Sequence, residues 1–189
     1  MSGIAELHRA TLAPTKAQAL ADWLPHQEWF TSDASDLEML ESFRFVDPEG
    51  EVGIETHLVR SGGTIYHVPV TYRGAPLEGA EDWLICRMSH SALGDRWVYD
   101  ATGDPVYQVE LTRVIREGDT EATVTIEGEA LPTRATALGS WVDLSAESSG
   151  MLRIARNIDE FSTARARGVL TVTFQVDGAP REAAVAALR

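Results

Sequence analysis

Two runs of alternating apolar and polar residues, 39–46 and 51–60, flank the tetrapeptide Asp47-Pro48-Glu49-Gly50. Proline at the second position and glycine at the fourth favour a type I turn there. A hairpin closed directly on that turn, with Val46 opposite Glu51, sets Phe45 against Val52 and Phe43 against Ile54. A third run, 64–72, follows Ser61-Gly62-Gly63. Placing Arg60 opposite Thr64 sets Leu58 against Tyr66, Thr56 against Val68 and Ile54 against Val70. Both registers put the same residues of the middle run on a buried face, and a slip of one residue would reverse it. The pattern predicts a three-stranded antiparallel meander whose outer face carries Glu55, His57 and His67.

The remaining pattern is mixed. Residues 4–10 read as a short opening strand. Thr15 starts a helix with a capping box, because Gln18 lies three residues on; Ala17, Leu20, Ala21 and Leu24 form its apolar side, and Pro25 ends it. Lys16, in the first turn, reads as a solvated side chain. Residues 83–89 alternate again as a fourth strand, and 97–99 begin another extended piece. Asp104 caps a second helix with Pro105 at its first position. Tyr107, Leu111, Val114 and Ile115 make its apolar stripe, and Gly118 closes it. Residues 122–126, 135–144, 151–154 and 169–176 read as strands, the last closed by Asp177-Gly178-Ala179-Pro180. Residues 181–188 fit a strand or a short helix, and the polar stretch 159–167 reads as a mobile loop. The expected fold class is α+β, an antiparallel sheet packed on one or two helices with a β-rich C-terminal half. One domain is expected over residues 1–189, divided into halves 1–117 and 118–189.

Charge narrows the list of partners. A formal charge of −13 repels phosphate backbones and anionic lipid, so neither nucleic acid nor a membrane is an expected partner. No apolar run approaches the ~20 residues that cross a bilayer, and MSGIAELHRA has neither a basic leader nor an apolar signal core. A lone cysteine, Cys86, excludes an internal disulfide and fits a reducing, cytoplasmic setting. Lys16 is the sole lysine, leaving one amine for a Schiff base or a lysine–phosphate contact.

Candidate chemistry is sparse. The registers above make His57 and His67 a cross-strand pair with Glu55 nearby, short of the usual metal set, so no metal is expected. Cys86 and His90 on one strand stand ~13 Å apart, too far for proton transfer. Ser89 and Ser91 match no G-x-S-x-G elbow. Asp100, Thr102 and Asp104 begin a calcium-loop spacing, but Pro105 and Leu111 occupy the positions of its glycine and bidentate glutamate. His90, Asp95, Arg96, Trp97, Tyr99 and Asp100 gather around one turn as a candidate recognition surface for a sugar or a protein. The bland alternative buries Trp97 and Tyr99 under the sheet and leaves Arg96 and Asp95 solvated.

The segments VGIETHLVR (52–60), VPVTYRGAPLEGAE (68–81) and MSHSALGDRWVYDATGDPVY (88–107) carry a more specific signal. Through them, residues 43–111 resemble the maltokinase N-terminal cap-like family of actinobacterial proteins. The resemblance implies a curved, cystatin-like antiparallel sheet with a helix and no catalytic residues or cofactor. In a full maltokinase the cap precedes a kinase-like region that phosphorylates maltose with ATP and feeds α-glucan synthesis. This chain has neither a G-x-x-x-x-G-K-[ST] loop nor an H-R-D catalytic loop. It is also too short for a glucan-branching barrel, which needs ~250 residues. The implied role is a non-catalytic accessory or regulatory protein of maltose, trehalose and glycogen metabolism, partnered by maltokinase or a related α-glucan enzyme. A sugar- or small-molecule-binding module, with Tyr66, Tyr72 and Trp83 lining a pocket, is the first alternative. A small hydrolase using His90 or Asp95 is the second.

Overall fold

Both marked helix starts form as the sequence predicts. In the computed structural model, which describes residues 3–142 and 151–189, Thr15 and Gln18 make the reciprocal capping box at the head of the first helix. Asp104 caps the second by accepting from the Val106 amide at 3.0 Å. That helix ends on Gly118, which adopts the left-handed conformation glycine tolerates best (φ 63°).

In chain order the elements are β1 (Ile4–Leu7), β2 (Leu12–Ala13), α1 (Lys16–Trp23), β3 (Glu38–Val46), β4 (Gly53–Ser61), β5 (Thr64–Arg73), β6 (Leu84–His90) and β7 (Gly94–Asp100). There follow α2 (Pro105–Glu117), β8 (Thr123–Ile126), β9 (Glu129–Ala130), β10 (Thr136–Trp141), β11 (Leu152–Ile154), β12 (Gly168–Val176) and β13 (Ala179–Leu188). A curled antiparallel sheet runs β2-β6-β7-β5-β4-β3, a second runs β10-β12-β13-β11, and a small third runs β1-β8-β9. The fold is α+β, with a β-rich C-terminal half. Residues 181–188, open between strand and helix in sequence, lie in β13, paired with β12 across Asp177-Gly178. Both turn residues have positive φ, which suits a two-residue hairpin. Residues 159–167 contain no helix or strand, and residues 143 and 144 of the predicted strand 135–144 lie outside the described residues. No helix among the described residues is long and apolar enough to cross a membrane.

The meander β3-β4-β5 is present, but both of its predicted registers change. The Asp47-Pro48-Glu49-Gly50 turn forms, with the Gly50 amide on the Asp47 carbonyl at 2.9 Å. The Asp47 carboxylate then also accepts from the amides of Glu51 (3.1 Å) and Val52 (2.9 Å), holding two more residues in the loop. Phe45 therefore faces Ile54, and Phe43 faces Thr56. That shift of two leaves Phe43, Phe45 and Ile54 on one face as predicted, whereas a bulge between Met39 and Glu41 turns Met39 to the other. The next turn is only Gly62-Gly63, both at positive φ, so Ser61 rather than Arg60 faces Thr64. Asp36 grips this turn through the Ser61 hydroxyl (2.8 Å) and the Gly62 amide (3.1 Å). That slip of one reverses β5. Leu58 now faces His67, and Val59 faces Tyr66.

The expected single buried face is thus replaced by two. Phe43, Phe45, Ile54, Leu58 and Ile65 join α2 and the inner side of the second sheet, including Leu170, Phe174 and Val185. Val59, Tyr66, Val68 and Val70 join Ala19, Leu20, Trp23 and Leu24 of the α1 region on the opposite side. The buried stripe of α1 differs from the predicted one, since Ala17 is exposed and Ala19 and Trp23 are buried. The α2 stripe of Tyr107, Leu111, Val114 and Ile115 is as predicted, with all four fully buried. A glycine fixes how closely α2 approaches the second sheet: a Cβ at Gly139 of β10 would stand 2.0 Å from the Val114 carbonyl oxygen.

Candidate functional site

Glu55 and His57 sit on β4 in a run that is buried on both faces. An ionised carboxylate in such a place needs partners. The corrected register supplies the first, because Arg44 of β3 lies directly opposite Glu55. Its NH2 group is 2.9 Å from Glu55 Oε2. Tyr72, on the same side of β5, donates its hydroxyl to Oε2 at 2.9 Å. Helix α1 crosses this side and delivers Lys16, whose Nζ lies 2.9 Å from Oε1 and 2.6 Å from Oε2. His57 Nε2 is 3.4 Å from both Glu55 Oε2 and the Tyr72 hydroxyl. Lys16 is therefore not the solvated side chain its sequence position suggests. It is 30% exposed and part of a five-residue cluster.

The electrostatics favour holding charge over moving protons. Burial alone would raise the Glu55 pKa, but Arg44, His57 and Lys16 outweigh it and keep the carboxyl well below its ordinary value. Burial and the neighbouring Glu55 charge push Tyr72 well above its own. A carboxylate so far below neutrality is a weak base, and a phenol so far above it is a weak acid. Two clefts adjoin the cluster. One, of about 480 Å³, runs along β3 towards residues 131–135. The other, of about 530 Å³, lies under the β1–β2 segment and reaches Tyr72, Met88 and Arg96. Leu7, Lys16 and Arg44 line both.

The residues singled out from sequence disperse along the β6–β7 hairpin. His90 Nδ1 accepts from the amides of Ala92 (3.2 Å) and Leu93 (3.1 Å), closing its own turn. Asp95 pairs with Arg87, which also covers the Trp97 ring at 5.0 Å. Arg96 donates to the Leu93 carbonyl at 2.8 Å. Tyr99 is buried and takes the Leu77 amide on its hydroxyl at 2.8 Å. Asp100 is buried and paired with Arg156. Only His90 and Arg96 of the six border a cleft described above.

His57 and His67 do not form a pair. The slip in β5 sends them to opposite faces, and His67 Nδ1 donates to the Ala155 carbonyl at 3.1 Å. Among the described residues no group of three or more His, Cys, Asp or Glu is placed to hold a metal. Burial raises the Cys86 thiol, the reverse of what an activated nucleophile needs. Of the three residues proposed to line a pocket, Tyr72 borders a cleft, Tyr66 is fully buried and Trp83 is 41% exposed, packed over Gly103.

Arg44 was missed because the predicted register set it opposite Gly53. An ion pair across a hairpin is itself a register signal, and Arg44 opposite Glu55 would have selected the loop that Asp47 stabilises.

Among curated proteins none matches the chain. Residues 23–104 match the maltokinase N-terminal cap domain. The match begins at the end of α1 and stops at the cap of α2, so it takes in β3 to β7 with Arg44, Glu55, His57 and Tyr72, and it leaves out Lys16 and the second sheet. The cap is an N-terminal module rather than the catalytic part of maltokinase, and this chain carries a maltokinase N-terminal cap-like domain over residues 23–104.

Proposed function

We propose that this chain is a non-catalytic accessory or regulatory protein that partners maltokinase or a related α-glucan enzyme, within maltose, trehalose and glycogen metabolism. The observation that carries this reading is the match over residues 23–104 to a cap module with no catalytic family alongside it. The charge cluster is consistent with it, since Glu55 and Tyr72 are held away from the protonation states that acid–base work requires. The test is co-purification of the tagged chain from its source cell. Maltokinase or another α-glucan enzyme should be retained in near-stoichiometric amount and should change its rate of maltose phosphorylation or glucan synthesis when the chain is added. Retention of no such enzyme, or turnover of a substrate by the chain alone, would overturn the reading.

A second reading, a small-molecule or sugar-binding module, is favoured by the two clefts, each within the volume range of ligand sites. Maltose, trehalose or their phosphates should then raise the melting temperature of the isolated chain.

A further inference from the structure

Lys16, Arg44 and Glu55 do not balance. Two cations meet one carboxylate, in a chain whose formal charge is −13. The carboxylate is saturated: Oε2 receives Lys16, Arg44 and Tyr72, and Oε1 receives Lys16. The cations are not. An ammonium has three donors and a guanidinium five, whereas Lys16 directs its bonds at the two Glu55 oxygens and Arg44 directs one nitrogen there. Both side chains line both clefts.

Over its whole lining each cleft holds as many acids as lysines and arginines, so the positive surplus is local to the wall where Lys16 and Arg44 meet Glu55. Three of the other acids keep their charge but are held by donors elsewhere. Glu6 accepts from the Thr125 hydroxyl at 2.6 Å, and Glu121 from the Ala137 amide at 2.8 Å. Asp47 accepts from the amides of its own loop. A half-buried surplus cation beside a cavity attracts an anion more strongly than one in open solvent, because screening is weaker there.

We propose that the cleft wall formed by Lys16 and Arg44 binds the anionic group of a small organic molecule, a carboxylate or a phosphate, whose body occupies one of the clefts. Glu55 is a positioning residue: it holds the two cations together and sets their net charge at one. Tyr72 lies beneath both cations, 5.7 Å from Lys16 and 5.9 Å from Arg44 at its ring centroid. This site requires no partner protein, and it differs from the sugar reading because an uncharged sugar lacks the group that Lys16 and Arg44 would grip.

The experiment is thermal shift with calorimetry on the full chain, using inorganic phosphate, citrate and maltose, each compared with sodium chloride at equal ionic strength. Phosphate or citrate should raise the melting temperature by about 3–5 °C at ten times its dissociation constant, and the stronger of the two identifies the anion class. Lys16→Met should weaken binding at least tenfold, and Lys16→Arg should recover part of it. Arg87→Met, on an exposed pair with Asp95, should leave it unchanged and controls for surface charge. A response to neither anion, or an equal response in the chain and in Lys16→Met, overturns the proposal. A response to maltose alone overturns it too while supporting the sugar-binding reading. Should Lys16→Met unfold, Arg44→Gln gives the same readout.

Discussion

Glu55 and Asp104 are two buried carboxylates served by successive residues of β5, and they differ in how they are matched. Thr71 and Arg73 point to one side of the strand and hold Asp104; Tyr72, between them, points to the other and holds Glu55. Arg73 grips Asp104 as a two-pronged fork at 2.7 Å for each bond. Thr71 and the Val106 amide supply the remaining bonds, so one guanidinium meets one carboxylate and the helix cap is satisfied as well. Asp104 is a clamp between the cap-like sheet and α2. Glu55 instead confronts two cations, a phenol and an imidazole at the edge of two clefts. A matched carboxylate fixes structure, whereas an over-supplied one beside open space leaves capacity for something else.

The largest effect should come from breaking the matched site. Asp104→Ala strands Arg73 and removes the α2 cap, with an expected cost of about 3–5 kcal/mol. That corresponds to a fall of about 10 °C in melting temperature for a chain of this size. Urea unfolding measures it, and a loss no larger than that of Glu55→Gln would erase the distinction between the two sites.

Acid should expose the next difference. His67, on the same face as α2, is fully buried, and burial lowers its pKa to about 3. An unfolded chain binds this proton near pH 6.5, so the histidine's contribution is intact above that pH and is lost as pH falls towards 3. Between pH 7 and 5 the loss should be about 2 kcal/mol, and His67→Gln should remove most of that slope. Glu55 behaves differently: its depressed pKa contributes stability above about pH 4.3, which drains only as pH falls below that value. A pH 7-to-5 slope unchanged by His67→Gln would show that this face is not sealed.

Glu55→Gln should have the smallest cost, about 1–2 kcal/mol, because Lys16 and Arg44 can turn towards water in the clefts. Phosphate should restore more of it than chloride at equal ionic strength, whereas Asp104→Ala should gain nothing beyond the parent chain. Equal rescue of both variants would mean that the anion acts generally.

What the sequence disclosed was local. Thr15 with Gln18, Asp104 with Pro105, and Gly118 mark helix ends through interactions within a few residues, and each is found in place. Strand positions were legible for the same reason. Register was not, because it is decided by two aspartate side chains whose bonds reach beyond the local turn patterns. Asp47 lengthens the first loop through the Glu51 and Val52 amides, and Asp36 secures the Gly62-Gly63 turn from 25 residues before Ser61. One slipped residue then misplaced Tyr66, His67, Val68 and Val70 together. The second buried face was hidden for a related reason: Glu55 and His57 read as an outer surface until α1 is known to cross it. The same crossing turns Lys16 from a surface cation into a half-buried partner of Glu55.

The single lysine offers the most direct test. In a sample labelled at lysine side chains, Lys16 gives the only lysine side-chain resonance, read by nuclear magnetic resonance without assignment. The account predicts a signal displaced from that of free lysine, moved by Glu55→Gln and by phosphate, and indifferent both to chloride at equal ionic strength and to a conservative Asp104→Asn change. A signal at the free-lysine position that neither Glu55→Gln nor phosphate moves would contradict it.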